Sequence, residues 1–390
     1  MTEDTDLDFS EWNAELEEEV EAKGIDSLVV YSRDWTVETI LSQIEKDNID
    51  LNPRFQRRNA WNDSKRSKLI ESLIIGIPVP EIVLAEDKDK KRSFIVIDGK
   101  QRLLAIAGFA NPERFPVWDS AKLKGLTTRS DLNRSSFEKI AETDESGDIR
   151  NLMNSDIRCT VISNYDSPQV LYDIFYRLNT GSVPLSSQEL RQVLNRGEFA
   201  NYLIETTNEH LPLHSVLNLK GPDARLRDAE ILLRYITFSI FGKDYTGNLT
   251  PFLDTKMAEI NRSWDKMERQ IIDLTSGFNY GTQELIAGLG EKKVGRKMTE
   301  KGWESRFNRA LYEVEVYYAS RLDRGTIEKR AVEFQTAFQH LCLGRPEFID
   351  SIETSTKNID KYYTRFSLYK DMINEVFDVK IDEIPVPLRS

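Results

Sequence analysis

Asp98-Gly99-Lys100-Gln101-Arg102 places a carboxylate, a glycine, two cations and an amide next to one another. The apolar run Phe94-Ile95-Val96-Ile97 precedes it, and a helical period resumes over 101–109. That order predicts a buried strand, a tight glycine turn and a helix start. Such a turn points free backbone N–H groups and the positive end of a helix dipole at one spot, an anion site. Gly99 lets the backbone approach a ligand, Lys100 and Arg102 add charged donors and Gln101 a neutral one. Asp98 adds a carboxylate able to hold Mg²⁺ or to orient a water beside a phosphate. The same residues also read as an Asp N-cap, a turn glycine and solvated charges, and local spacing does not choose between the two.

Two further clusters have the right chemistry. Arg54, Gln56, Arg57 and Arg58 lie beside Phe55 and Trp61, a combination able to grip phosphates while a ring packs on a base or on the core. In Phe175-Tyr176-Arg177-Leu178-Asn179-Thr180-Gly181, the Asn-Thr-Gly ends a helix in a turn able to present N–H groups to an anion. Taken singly, each reads more simply as a surface Arg cluster and a plain helix stop. Glu189 and Arg191 read as helix surface or a salt bridge.

The elements that must position these residues follow from periodicity. Leu28 to Ser32 is a strand, and Trp35 to Glu45 a helix with Thr36 near its start. Asp63-Ser64 caps a helix with Leu69, Ile70, Leu73 and Ile74 on one face, ended by Gly76 and Pro78. Strands Glu81 to Ala85 and Ser93 to Ile97 flank a charged turn, and the second, apolar on both faces, has the pattern of a central strand. Residues 111–155 are polar around one helix, Ser135 to Ala141, and read as an insertion on the module's edge. Asp156 to Ser163 is a strand and Pro168 to Leu178 a helix. Beyond Leu185 the helical pattern covers Gln188 to Leu194, Phe199 to Thr206, Asp228 to Ile240, Leu253 to Leu274, Trp303 to Ala319, Thr326 to Leu343 and Ile359 to Phe377. The expected organisation is α+β: an acidic lead over 1–26 with a helix from Ser10 to Ala22, a module over 27–195, and a helical domain over 196–390.

The 390 residues suffice for two cores. With 39% hydrophobic and 30% charged residues the chain is neither membrane-embedded nor largely disordered, and its apolar runs fall short of a membrane span. The acidic N-terminus does not resemble a signal peptide, so a cytoplasmic location is expected. Cys159 and Cys342 lack metal or disulfide spacing and read as buried small hydrophobes. A net charge of −12 is opposite to the broad basic field of non-specific DNA binding.

Four motifs in order carry a resemblance. They are Pro53-x-Phe55-Gln56-Arg57-x-x-x-Trp61; Lys68-Leu69-Ile70-Glu71-Ser72-Leu73-x-x-Gly76-Ile77-Pro78-x-Pro80; Ile97-Asp98-Gly99-Lys100-Gln101-Arg102-Leu103; and Phe175-x-Arg177-Leu178-Asn179-Thr180-Gly181-x-x-Pro184-Leu185-x-x-Gln188-Glu189-Leu190-Arg191. Together they resemble the domain-of-unknown-function family 262, which includes the N-terminal domain of GmrSD-type modification-dependent restriction proteins. Arg225 to Arg234 resembles the helical region that often follows. The resemblance implies a ParB/sulfiredoxin-like fold and nucleotide binding, in some members with hydrolysis, coupled to phage defence. It assigns Asp98 and Gln101 to hydrolysis, and Gln56, Arg57, Gly99, Lys100, Arg102, Asn179, Thr180, Gly181 and Arg191 to the nucleotide. Lys100 stands where the family usually has Gln, which favours phosphate binding over turnover. No cysteine near Gly99 could supply sulfiredoxin chemistry.

The added nuclease region of full restriction members needs clustered His, and this chain has His210, His214 and His340. Pro212 interrupts the His210-x-x-x-His214 spacing, so no metal site is expected. The leading expectation is an NTP-binding regulator or sensor, with NTP and Mg²⁺ as ligands and a separate protein effector. The rival is a non-catalytic DNA-binding or adaptor protein that uses the helical domain.

Overall fold

The computed structural model describes residues 28–51, 61–88, 90–143, 147–165, 170–171, 174 and 186–387. The expected Ser10–Ala22 helix, the Arg54–Arg58 cluster and the 175–185 motif lie outside the described residues, as does most of the 168–178 helix. The chain divides at Leu194/Asn195 into an α+β unit and a helical unit.

In the α+β unit, β1 (Val29–Thr36), β2 (Ile82–Glu86), β3 (Phe94–Asp98) and β4 (Asp156–Ser163) form a sheet in the order β1-β4-β2-β3. β4 runs antiparallel to β1 and parallel to β2, and β2 runs antiparallel to β3. Alternation sorts the side chains: Leu84, Val96 and Val161 face one core, and Val83, Ile95, Ile97 and Ile162 the other. β3 is therefore an edge strand, not the central one its composition predicts. It reads as central because both faces are covered and its outer edge meets the chain at Ile49, where the Phe94 N–H donates to the Asn48 carbonyl at 2.6 Å.

Helices α1 (Val37–Glu45), α2 (Asp63–Ile75) and α3 (Lys100–Ala110) pack on the first core. Thr36 caps α1 by accepting the Thr39 N–H at 3.1 Å. α2 begins one residue earlier than expected: Asn62 is the cap, accepting the Lys65 N–H at 3.0 Å. Asp63 is instead buried, paired with Arg66 and accepting the Asp119 N–H at 3.2 Å.

That last bond shows that 111–155 is no edge appendage. Phe115, Trp118, Leu123, Leu132, Ile140 and Leu152 are buried in the same core as α2 and α3. Asp63 and Glu71 of α2 hold the segment by accepting the backbone N–H groups of Asp119 and Arg129. It contains α4 (Phe137–Glu142) and the unforeseen α5 (Asp148–Asn154). The unit ends with α6 (Ser187–Leu194), whose Leu190 packs in the second core.

The helical unit comprises α7 (Glu198–Asn208), α8 (Pro212–Val216), α9 (Arg227–Phe241), α10 (Leu249–Arg262), α11 (Trp264–Leu289), α12 (Arg309–Ala319), α13 (Thr326–Lys329), α14 (Ala331–Gly344), α15 (Pro346–Glu353) and α16 (Ile359–Phe377). The helix expected over Leu253–Leu274 is two helices, broken at Ser263, whose N–H bonds back to the Glu259 and Ile260 carbonyls. The expected start of α12 at Trp303 is instead a two-stranded hairpin, β5 (Met298–Thr299) and β6 (Gly302–Trp303). Both errors have one cause, since an apolar period runs through residues that face the same core from different elements.

At the centre of this unit Glu313 pairs with Arg234, accepts from Tyr362 Oη at 3.0 Å and lies 3.5 Å from Arg365 Nη2. Glu230 accepts from Arg309 Nη1 at 2.8 Å. All six side chains are buried, so the Arg225–Arg234 pattern serves the core. Cys159 and Cys342 are both buried free thiols, as expected. Among the described residues, no helix is long and apolar enough to cross a membrane.

Candidate functional site

The predicted strand, glycine turn and helix start is present. β3 carries a bulge opposite the Val83/Leu84 step, immediately before Asp98, so the strand is locally re-aimed where the turn begins. Gly99 follows at φ 95°, and a Cβ there would come within 3.0 Å of Ile82 Cγ1 and 3.3 Å of the Ile82 Cα. Conformation and space both require glycine.

Gly99 is the N-cap of α3 and offers no side-chain cap bond. The alternative of an Asp98 N-cap therefore fails. Asp98 is turned to Arg102, whose Nη2 reaches Asp98 Oδ2 at 2.6 Å and also donates to the Glu81 carbonyl at 2.8 Å. Arg102 thus clasps the start of β2 to the end of β3 around the turn, a positioning role. Its Nε is buried without a hydrogen-bond partner, as is Gln101 Oε1. Buried polar atoms without partners cost about 1–3 kcal/mol each and call for an explanation, a bound ligand or water among them.

Lys100, the first residue of α3, is buried rather than solvated. Burial lowers its pKa, and the carboxylates of Glu189 and Asp50 pull it back up. Glu189 is held by a capping box at the start of α6: its Oε2 accepts the Ser186 N–H at 2.6 Å and Ser186 Oγ accepts the Glu189 N–H at 3.1 Å. The Ser186-x-x-Glu189 spacing was legible in the sequence, whereas its proximity to Lys100 was not.

Arg191 is buried, not helix surface, and its Nη1 donates to Gln188 Oε1 at 2.7 Å. Gln188, Arg191 and Gln192 share one face of α6 by their i, i+3, i+4 spacing, with Leu190 and Leu194 on the other. Gln188 Nε2 and both amide atoms of Gln192 are buried without hydrogen-bond partners. Gln192 was not foreseen, because no local pattern distinguishes a buried amide from a surface one. The other proposed contacts, Gln56, Arg57, Asn179, Thr180 and Gly181, lie outside the described residues.

No group of His, Cys, Asp or Glu suited to hold a metal ion occurs among the described residues. His214 uses both ring nitrogens structurally: Nδ1 accepts the Leu211 N–H at 3.1 Å, so Nε2 carries the proton donated to Asp228 Oδ2 at 2.9 Å.

No curated protein and no solved structure matches the chain. One family model does, over residues 37–194, described as the GmrSD restriction endonuclease, N-terminal domain. The match begins with the first residue of α1 and ends with the last of α6, so it covers the site and the elements that build it. Residues 37–194 of this chain are therefore similar to the GmrSD N-terminal domain family, in line with the resemblance carried by the four motifs.

Proposed function

We propose that the α+β unit binds a nucleoside triphosphate at the N-terminus of α3 and that the chain acts as a nucleotide-responsive component of a phage-restriction system, with a separate effector. The observation that carries this reading is the uncapped N-terminus of α3, opened by an obligatory glycine and followed at once by the buried Lys100. A surface turn needs no buried ammonium, whereas a phosphate would add a counter-charge to it and accept from N–H groups of the first turn. Asp98, fixed by Arg102, would orient water or hold the Mg²⁺ that accompanies the nucleotide, and that ion would supply charge neutralisation on the phosphates. Gln101 provides the neutral amide. The similarity of residues 37–194 to a restriction-protein domain family supports the defence role.

Calorimetric titration of the full chain with each of the four NTPs, with and without Mg²⁺, tests the reading. Saturable heat from at least one is expected. Silence from all four would leave the adaptor reading in its place.

A further inference from the structure

The helical unit contains a groove that the nucleotide site does not use. α11 crosses the end of α12 at Gly281, where a Cβ would come within 2.7 Å of the Ser320 backbone nitrogen. Toward the N-terminus of α11 the surfaces part into a groove of about 660 Å³, lined by Lys266, Arg269, Gln270 and Asp273 of α11, Tyr235 of α9 and Arg321 beyond α12, among others. Gly277 lines its floor, where an added Cβ would meet Tyr235 Oη at 3.5 Å and Ser320 Cβ at 3.8 Å, ordinary contact distances.

The cations here are arranged unlike most others in the unit. The side chains of Lys266 and Arg269 have neither an ion pair nor a hydrogen bond among the described residues. They lie in the first two turns of a 26-residue helix, where the positive end of the macrodipole disfavours cations and favours anions. Helical spacing puts Lys266, Arg269, Gln270, Asp273 and Gly277 on one face and Glu268 on the opposite one, so Asp273 is the one carboxylate lining the groove among the described residues. Arg321 is held rigid, its guanidinium 3.4 Å from the centroid of the Tyr317 ring and its Nε 3.2 Å from Glu383 Oε2. A flexible ammonium, a free guanidinium and an amide thus face a pre-positioned guanidinium across an open trough. All are donors, and the chain around them is acidic, at −12 overall.

We propose that this groove binds phosphoryl oxyanions, with Lys266 and Arg269 as the principal contacts. Multiple oxygens with delocalised charge match this set of forked and rotating donors better than a single carboxylate does. The oxyanions could be backbone phosphates of a nucleic acid or a free polyphosphate, and two measurements separate them.

The full chain and its Lys266→Glu/Arg269→Glu variant are titrated with a short labelled DNA duplex by anisotropy at several salt concentrations, and with inorganic triphosphate by calorimetry. Lys266→Gln/Arg269→Gln serves as the neutral comparison, and thermal melts confirm that these surface changes leave the fold intact. With a nucleic acid as ligand, duplex affinity falls about tenfold or more in the Glu variant, less in the Gln variant, and the salt slope drops by about two contacts' worth. With free polyphosphate as ligand, the loss appears in the triphosphate arm alone. If parent and variant bind both probes equally, or the parent binds neither, the proposal is overturned.

Discussion

Arg102 Nη2 lies 2.6 Å from Asp98 Oδ2 and 2.8 Å from the Glu81 carbonyl oxygen, so one guanidinium nitrogen joins the end of β3 to the approach to β2 around Gly99. In the proposed nucleotide site the arginine would act through the carboxylate it holds and the turn it closes. Arg102→Ala is therefore expected to weaken NTP binding about ten- to a hundredfold, the range of a lost charge-assisted contact. Asp98→Asn, which keeps the shape, should affect Mg²⁺-dependent binding more than Mg²⁺-free binding. Calorimetry on variants with parent-like near-UV circular dichroism checks both. An Arg102→Ala protein that is folded and binds normally would remove Arg102 from the site.

Lys100, which departs from the signature that the resemblance implies, is buried. Its ammonium gains more from a phosphate than a solvated one would, because burial already disfavours the charge. Lys100→Gln should cost about 1.5–3 kcal/mol of NTP affinity. Turnover should stay equal or rise, since a neutral amide can orient water and ground-state binding does not speed chemistry. Affinity and steady-state hydrolysis on one preparation decide it. Hydrolysis abolished at unchanged affinity would make Lys100 a stabiliser of transition-state charge instead.

Glu315 of α12 is buried, and burial raises its pKa to about 8 although the Gly295 N–H, 2.7 Å away, and Arg296 favour its charged form. The folded state thus holds a proton that the unfolded chain releases near the ordinary value of 4.5. The stability it contributes is fully present below that value and is lost as pH rises toward about 8, by roughly 1.4 kcal/mol per pH unit at most. Glu315→Gln, which mimics the protonated form, should flatten this slope and be more stable than the parent at alkaline pH. Urea unfolding at several pH values across this range tests it, and equal slopes would show that Glu315 titrates normally.

Glu313 is buried among Arg234, Arg309 and Arg365. Burial alone would raise its pKa, but the three arginines outweigh that and hold it below the usual carboxylate value. Glu313→Gln strands those guanidinium charges with Glu230 as their remaining carboxylate in the cluster, and should destabilise the helical unit by about 3–5 kcal/mol. Chemical denaturation monitored by far-UV circular dichroism reads this loss. A change under about 1 kcal/mol would show that the cluster admits water.

The sequence by itself determined the local parts of this protein. Thr36 before an amphipathic run announces α1, Gly76 ends α2, and the step from Ile97 through Gly99 to a helical period could be read directly, because caps, left-handed glycines and periodicity act over a few residues. The placement of Asp98 to Arg102 at the step from strand to helix was legible for the same reason. Only the tertiary structure decided which partner each group has. The polar 111–155 segment joins the main core through Phe115, Trp118, Leu123 and Leu132, and Asp63 and Glu71 also bind its backbone. β3 lies at the sheet edge although its composition is that of a central strand. Lys100 is buried near Glu189, and Arg102 reaches back to Glu81 across 21 residues. Burial and ion pairing depend on residues far apart in the chain, and no local pattern records which of them will meet.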